Sequence, residues 1–122
     1  MNFWQLTGAF YGAAGVAAGA AASHALSDAY GADMVKTAAI YALIHAAVLV
    51  CWQPAGRIAL AARLCLAAGV LLFSGAIMLK YLLSCPVAAH ATPVGGTLLM
   101  LAWLFVALHA AMAGRHSAPD AA

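Results

Sequence analysis

Long runs of apolar residues dominate the chain, and only short polar segments separate them. A helix that crosses the roughly 30 Å hydrocarbon core of a bilayer needs about 20 mostly apolar residues. Four segments are predicted to be such helices: residues 5–26, 34–52, 58–83 and 94–113. Apolar and polar residues do not alternate within them, which argues against membrane β-strands. The pattern predicts an all-α integral membrane four-helix bundle, in which short loops make neighbouring helices antiparallel.

Proline residues mark the ends of these segments. Pro54 separates the second segment from the third, and Pro86 ends the third. Thr92 precedes another proline, which predicts an N-cap at the start of the fourth helix. Residues 1–122 are therefore predicted to form one transmembrane domain, with residues 114–122 as a flexible C-terminal tail.

The composition narrows the class of protein. Of the 122 residues, 67% are apolar and only 7% are charged, whereas soluble domains carry about 25% charged residues. So few charges cannot cover the surface of a soluble domain, and they exclude a disordered segment and a nucleic-acid partner. The lipid bilayer is the expected partner.

The distribution of Lys and Arg predicts the orientation, because such residues favour cytoplasmic loops. Arg57, Arg63 and Arg115 lie on the side of the two termini, whereas Lys36 and Lys80 lie on the other side. Both termini are therefore expected in the cytoplasm. The first seven residues contain no Lys or Arg, so the first segment is interpreted as a span rather than a cleaved signal peptide.

Small residues are expected to bring the helices together, since apolarity alone does not drive association within lipid. Four glycines of the first span fall within about 60° of one another on a helix. The opposite face is also small, which predicts a central position for this helix in the bundle. A homodimer contact through the glycine face is the alternative. The predicted helix-packing positions are Gly8, Gly12, Gly15, Gly19, Gly75 and Gly96.

The second span carries the most polar stripe, in which Tyr41 lies one turn before His45. An ionisable residue within a membrane span indicates a functional site, although a neutral His also serves as a hydrogen-bonding core group. Ser74 of the third span is expected to meet this stripe. The predicted ligand-binding residues are His24, Tyr41, His45, Ser74, Thr92 and Gly95. His24 and His45 are also the candidate ligands for a metal or haem, but no ligand-spacing motif supports them.

The positions of the acidic residues exclude other chemistry. No Asp or Glu lies deep within a span, which disfavours a proton-coupled antiporter driven by a buried carboxylate. Paired catalytic carboxylates, a serine nucleophile motif and a phosphate-binding loop are missing as well. The sequence therefore predicts a protein that is not an enzyme and that needs no cofactor, with a metal or haem as the less favoured alternative.

Short motifs in this order resemble those of a known family. They are GAAGVAAGAAASHAL at residues 12–26, the pattern TAxxYxxxHA at residues 37–46, FSG at residues 73–75 and TPVGG at residues 92–96. They resemble the domain of unknown function 423 family of small bacterial inner-membrane proteins, to which the mitochondrial transmembrane protein 256 is similar. The resemblance covers about residues 8–110. It implies a four-span protein of the bacterial inner membrane and supplies no activity.

Three functional hypotheses follow, in order of preference. The first is a non-enzymatic packing, lipid-binding or accessory protein, alone or in a homo-oligomer or larger membrane complex. The second is a His-containing site for a metal, a haem or a small polar ligand. The third is a small oligomeric transporter or channel, which needs a continuous polar path.

Overall fold

The computed structural model describes residues 1–116 and contains four helices in that range. They are α1 (Phe3–His24), α2 (Ala29–Cys51), α3 (Arg57–Leu82) and α4 (Thr92–His116). No strand occurs in this part of the chain, which confirms the predicted all-α helical bundle. Helix α4 continues into the segment predicted as a flexible tail, and the rest of that segment, residues 117–122, lies outside the described residues.

Side-chain caps fix where α1 and α2 begin. Asn2 accepts a hydrogen bond from the Gln5 backbone N–H at 3.0 Å, and the Gln5 side chain accepts one from the Asn2 backbone N–H. This capping box starts α1 earlier than its apolar run does. Asp28 accepts a hydrogen bond from the Gly31 N–H at 2.7 Å, so α2 also begins ahead of its apolar residues. Gly56, with a φ of 109°, lies in the predicted break between α2 and α3.

Helix α3 is not regular along its length. Its α-helical segments Arg57–Val70 and Ala76–Leu82 flank a π-helical turn at Leu71–Gly75. A 3₁₀-helical segment, Pro86–Ala91, then leads directly into α4. Because that segment comes before it, Thr92 already has helical dihedral angles (φ −56°, ψ −46°) and is not the predicted N-cap.

Helices α1 and α2 pack through glycine at two of the four predicted positions. A Cβ atom on Gly8 would lie 2.8 Å from the carbonyl oxygen of Ala46, and one on Gly15 would lie 3.2 Å from that of Ala39. These two glycines are seven residues, or about two turns, apart and define the contact line. The predicted packing roles of Gly12 and Gly19 are not required, since a Cβ there would make only ordinary contacts at 3.7 and 3.8 Å.

Helices α3 and α4 pack through different glycines. A Cβ atom on Gly95 would lie 2.6 Å from the backbone carbon of Leu72, and one on Gly69 would lie 2.9 Å from Leu99 Cγ. Gly95 is therefore a packing residue, although the sequence assigned it to ligand binding. Gly75 and Gly96 are the predicted packing positions, but both have room for a Cβ. A Cβ at either position would lie 3.7 Å from its nearest neighbouring atom.

The two helix pairs meet where α2 contacts α3, and α1 packs mainly on α2. The predicted central position of α1 is therefore wrong: Ala13, Ala17 and Ala20 on its outer face are exposed. The small residues of this face have no neighbouring helix to contact in the single chain. Apolar side chains between α2, α3 and α4, such as Leu49 and Leu66, are fully buried.

Within residues 1–116, three helical segments are long and apolar enough to cross a membrane: Ala29–Cys51, Arg57–Leu82 and Pro86–Arg115. They correspond to the second, third and fourth predicted spans. Helix α1 has 22 residues, which is about 33 Å at helical rise, but it is not one of these three segments. Its predicted membrane crossing stays a prediction.

Candidate functional site in the helical interior

His45 lies in the middle of α2 and is only 4% exposed. Its Nδ1 lies 2.6 Å from the backbone carbonyl oxygen of Tyr41, and its Nε2 lies 3.1 Å from Nε1 of Trp103 on α4. A carbonyl oxygen only accepts and an indole N–H only donates. The proton of the neutral ring is therefore on Nδ1, and Nε2 accepts from Trp103.

These two hydrogen bonds give His45 a structural role. One of them links α2 to α4, and together they engage both ring nitrogens, which leaves no lone pair free for a metal ion. The ring also lies 6.0 Å from the rings of Tyr41 and Trp103, measured between centroids. Tyr41 in turn lies 5.0 Å from the Phe73 ring, so an aromatic cluster surrounds the imidazole. An open groove of about 420 Å³ runs along this cluster.

His24 does not join His45. It is exposed at the C-terminal end of α1. Gly8 and Gly12 face Ala46, so His45 is level with the first half of α1 and roughly 20 Å from His24 along the helix axis, at 1.5 Å per residue. Within residues 1–116, no three His, Cys, Asp or Glu side chains come together as a metal site. The predicted pair of metal ligands therefore has no geometric basis.

Ser74 is the second polar side chain buried among the described residues, and it is 1% exposed. Its hydroxyl has no hydrogen-bond partner in this part of the chain. It lines a small cavity of about 80 Å³ between α1, α2 and α3, together with Tyr11 and Ala42. The α2 residue that lines this cavity is Ala42, which is not part of the polar stripe that Ser74 was expected to meet.

The π-helical turn sets Ser74 apart from other hydroxyl residues. A helical Ser or Thr usually donates to the carbonyl four residues earlier. Four hydroxyl side chains do so: Thr7, Ser23, Thr37 and Thr97. Ser74 lies inside Leu71–Gly75, where the backbone departs from the α-helical register. Its hydroxyl makes no such bond and is buried beside the cavity.

Tyr11 supports the same part of α3 from the neighbouring helix. The backbone N–H of Leu71 is shared between the carbonyl oxygens of Ala67 and Ala68, where the α-helical pattern gives way to the π-helical turn. The Tyr11 hydroxyl donates to the carbonyl oxygen of Ala67 at 2.8 Å. Tyr11 therefore gives the Ala67 carbonyl oxygen a second hydrogen bond at the start of the π-helical turn.

An apolar groove of about 690 Å³ runs between α1, α3 and the 3₁₀ segment. Phe10, Ala14, Leu71, Gly75 and Met78 line both this groove and the small cavity at Ser74. The groove and the cavity are therefore adjacent. The remaining lining of the groove extends to the end of α3 and into the 3₁₀ segment, and includes Leu82 and Ala88.

The six predicted ligand-binding residues do not form one site. Tyr41 and His45 lie on the α4 side of the bundle, Ser74 lies on the α1 side, and His24 is apart from both. Thr92 begins α4, and Gly95 packs against α3. The two buried polar groups line separate cavities, so no polar path joins them within the described residues.

The sequence did not identify Tyr11 as a neighbour of Ser74 or Trp103 as a partner of His45. Tyr11 lies beside the glycine face of α1 on a helical wheel, and a hydroxyl at such a position is expected to be buried against a neighbour. Trp103 is an indole within an apolar span, and an N–H placed there requires an acceptor from the protein. His45 was the matching acceptor, but the sequence alone does not align α2 with α4.

Comparison with known proteins gives the family. Residues 18–96 match the family described as protein of unknown function (DUF423). The chain belongs to this family. The match includes His45, Ser74 and Gly95, and its description gives no activity. No solved structure matches the chain.

Proposed function

We propose that this DUF423 protein is a non-enzymatic membrane protein that binds one hydrocarbon chain of a membrane lipid in the groove between α1 and α3. The observation that carries the proposal is the groove itself, with its volume of about 690 Å³ and its apolar lining. In a bilayer, such a groove is in contact with lipid rather than water. A hydrocarbon chain that fills it gains contacts with both helices.

The outer surface supports placement in a bilayer. Large apolar side chains are exposed on every helix, including Phe10, Ile44, Leu64 and Leu104. Monomeric soluble proteins rarely expose such extended apolar surfaces. Because these side chains lie around the whole bundle, we propose that lipid surrounds it.

Aromatic residues support four membrane crossings, α1 included. Trp4 and Trp52 lie at the end of the bundle that holds the N-terminus, and Tyr30 and Tyr81 lie at the other end. Trp and Tyr are typical of the two membrane interfaces. Trp4 lies near the start of α1, so this helix begins at one interface and its length of 22 residues reaches the other.

We propose the bacterial inner membrane as the location, with both termini in the cytoplasm. Two exposed cysteines, Cys51 and Cys85, lie at opposite ends of the bundle and test this orientation. In single-cysteine variants, a membrane-impermeant maleimide is expected to label Cys85 in intact spheroplasts and Cys51 only after permeabilisation. The reverse labelling pattern contradicts the proposed orientation.

The lipid-binding proposal is tested by filling the groove. Ala14 lines it, whereas Ala20 is exposed elsewhere on α1. We expect native mass spectrometry to show phosphatidylethanolamine retained by the wild type and by Ala20→Phe, and retained several-fold less by Ala14→Phe. Equal retention by the two variants contradicts the proposal. The same spectra report a second copy or another bound subunit, which an accessory role in a complex requires.

This proposed role requires no catalysis, metal or haem. The hydrogen bonds of His45 support that view, because both of its ring nitrogens are engaged with protein groups. The separation of His24 from His45 supports it as well.

A further inference from the structure

We propose that the open groove beside Tyr41 binds the ring of a membrane quinone, which is a flat, uncharged ring with two carbonyl groups and a long hydrocarbon tail. The Tyr41 hydroxyl donates a hydrogen bond to one of the carbonyl groups. The inference requires the bundle to lie in a bilayer, as the proposed function states. It goes beyond that function, because it concerns a different groove and a different class of ligand.

The position of Tyr41 along α2 restricts which molecules reach it. Tyr41 lies about 18 Å from the start of the helix at Ala29 and about 15 Å from its end at Cys51, at 1.5 Å per residue. The hydrocarbon core of a bilayer is about 30 Å thick, so the head groups and ester carbonyls of phospholipids stay near the two ends of α2. A polar ligand group beside Tyr41 must therefore belong to a molecule that dissolves in the hydrocarbon core.

The Tyr41 hydroxyl has no hydrogen-bond partner within residues 1–116. Tyr41 is 42% exposed and lines the groove of about 420 Å³ between α2 and α4. The other polar side chains of the lining, His45 and Trp103, are hydrogen-bonded to each other. Tyr41 thus supplies a free O–H donor to the groove, and a hydroxyl that has no partner in hydrocarbon is unfavourable.

The lining of the groove suits a flat ring. The Tyr41 ring lies 5.0 Å from the Phe73 ring between centroids, and Trp103 lines the groove from α4. Aromatic side chains pack favourably on other flat rings. Gly96 also lines the groove and leaves it open beside Phe73. The volume of about 420 Å³ lies within the range of small-molecule sites, about 300–1,000 Å³, and exceeds the roughly 150 Å³ of a cavity that holds benzene.

The charge and hydrogen-bonding groups of the groove select a neutral acceptor. No charged side chain is among its lining residues within the described part of the chain, so an ionised ligand is costly to bury there. His45 Nε2 already accepts from Trp103, so the lining offers a donor at Tyr41 but no free imidazole acceptor. A carbonyl group only accepts, and a quinone places carbonyl groups directly on a flat ring. A phospholipid acyl chain brings no acceptor to this depth.

Equilibrium binding of a tritiated quinone to the full-length protein in detergent tests the inference. The probe is decyl-trimethyl-para-benzoquinone, whose fully substituted ring offers no free position to the cysteine thiols of the chain. Unlabelled probe and decyl-trimethylbenzene serve as competitors, because they share the tail and the methyl groups and differ in the carbonyl groups. We expect the wild type to bind the quinone about tenfold more tightly than the hydrocarbon, which corresponds to about 1.4 kcal/mol.

A pair of tyrosine variants tests the hydrogen bond. Tyr41→Phe removes the hydroxyl and keeps the ring, so it is expected to abolish the preference for the quinone and to leave competition by the hydrocarbon unchanged. Tyr30→Phe makes the same change at an exposed residue near the start of α2. This control is expected to keep the preference of the wild type.

A pair of glycine variants locates the ligand. Gly96→Val adds a side chain to the groove beside Tyr41 and is expected to weaken quinone binding at least fivefold. Gly75→Val adds the same side chain to the groove between α1 and α3 and is expected to bind the quinone as the wild type does. The two variants are matched, because a Cβ at either position would lie 3.7 Å from its nearest neighbouring atom. Helix content by circular dichroism is expected to be the same in both.

Three outcomes overturn the inference. The first is equal competition by the quinone and the hydrocarbon in the wild type, or a preference for the quinone that survives in Tyr41→Phe. The second is loss of binding in Gly75→Val but not in Gly96→Val, because the quinone then occupies the other groove. The third is the absence of saturable binding. None of them alters the retention of phosphatidylethanolamine that tests the proposed function, so the two proposals fail independently.

Discussion

His45 and Ser74 are both polar and both buried, but their surroundings differ. The imidazole of His45 has a hydrogen-bond partner on each nitrogen, one from its own helix and one from α4. The hydroxyl of Ser74 has none among the described residues and is buried beside a small cavity next to an apolar groove. His45 therefore joins two helices through its side chain, whereas the Ser74 hydroxyl joins nothing among the described residues.

The difference shows that the presence or absence of hydrogen-bond partners distinguishes the two buried side chains better than residue type does. A buried polar group with all its partners stabilises a fold, and an unpaired one is unfavourable unless something binds it. The π-helical turn creates the unpaired group, because it removes Ser74 from the α-helical register. Turns of this kind occur frequently at functional sites.

Removing His45 is expected to have the largest effect on stability. His45→Ala leaves the Trp103 N–H without an acceptor and opens a cavity between α2 and α4. We expect the free energy of unfolding to fall by about 2–4 kcal/mol, measured by denaturant titration in mixed micelles. His109→Ala is the control, because His109 is only half-buried and contacts Trp52 at 5.6 Å between ring centroids. A loss no larger than that of the control contradicts a structural role for His45.

Moving α4 away from the π-helical turn is expected to have the next largest effect. Gly95→Ala places a methyl group 2.6 Å from the backbone of Leu72, between the Ser74 and His45 regions. Because backbone atoms cannot move aside easily, we expect a loss of about 1–3 kcal/mol in the free energy of unfolding. The adjacent Gly96→Ala has room for its methyl group and is expected to stay within about 0.5 kcal/mol of wild type. Equal losses in the two variants contradict the assignment of Gly95 to helix packing.

Ser74→Ala is expected to have the smallest effect on the unliganded protein. No hydrogen bond within the described residues is lost, and an unpaired buried hydroxyl is removed. The free energy of unfolding is expected to stay within about 0.5 kcal/mol of wild type or to rise slightly. A loss above about 1 kcal/mol, in the same titration, indicates a protein partner for Ser74 and removes the contrast with His45.

The sequence was sufficient for the helices but not for the contacts between them. Apolar runs and prolines predicted four helices because those signals are local. The contact through Gly95 depends on how α4 lies against α3, and the position of Trp103 beside His45 depends on how α2 is aligned with α4. Neither is encoded in one segment. Helix α1 shows a further limit, because its glycines suit close packing and also lower its hydropathy.

The candidate site was only half predictable for the same reason. His45 and Ser74 were identified as polar residues in apolar spans. Whether each has a partner depends on the π-helical turn and on Tyr11 and Trp103. A π-helical turn has no strong sequence signal, because the same residues also form regular α-helix. The roles of the two residues were therefore decided by three-dimensional contacts.

Photolabelling with a phosphatidylethanolamine that carries a diazirine in one acyl chain, in reconstituted vesicles, tests the central contrast most directly. The probe can reach the groove beside Ser74 and also the open groove beside His45, so one experiment compares the two regions. Labelling that excess unmodified phosphatidylethanolamine suppresses is expected on Leu71 and Met78 of the first groove and not on Met100 or Trp103 of the second. Suppressible labelling of Met100 and Trp103, with none on Leu71 and Met78, would contradict the assignment of lipid binding to the groove beside Ser74 and of structure to His45.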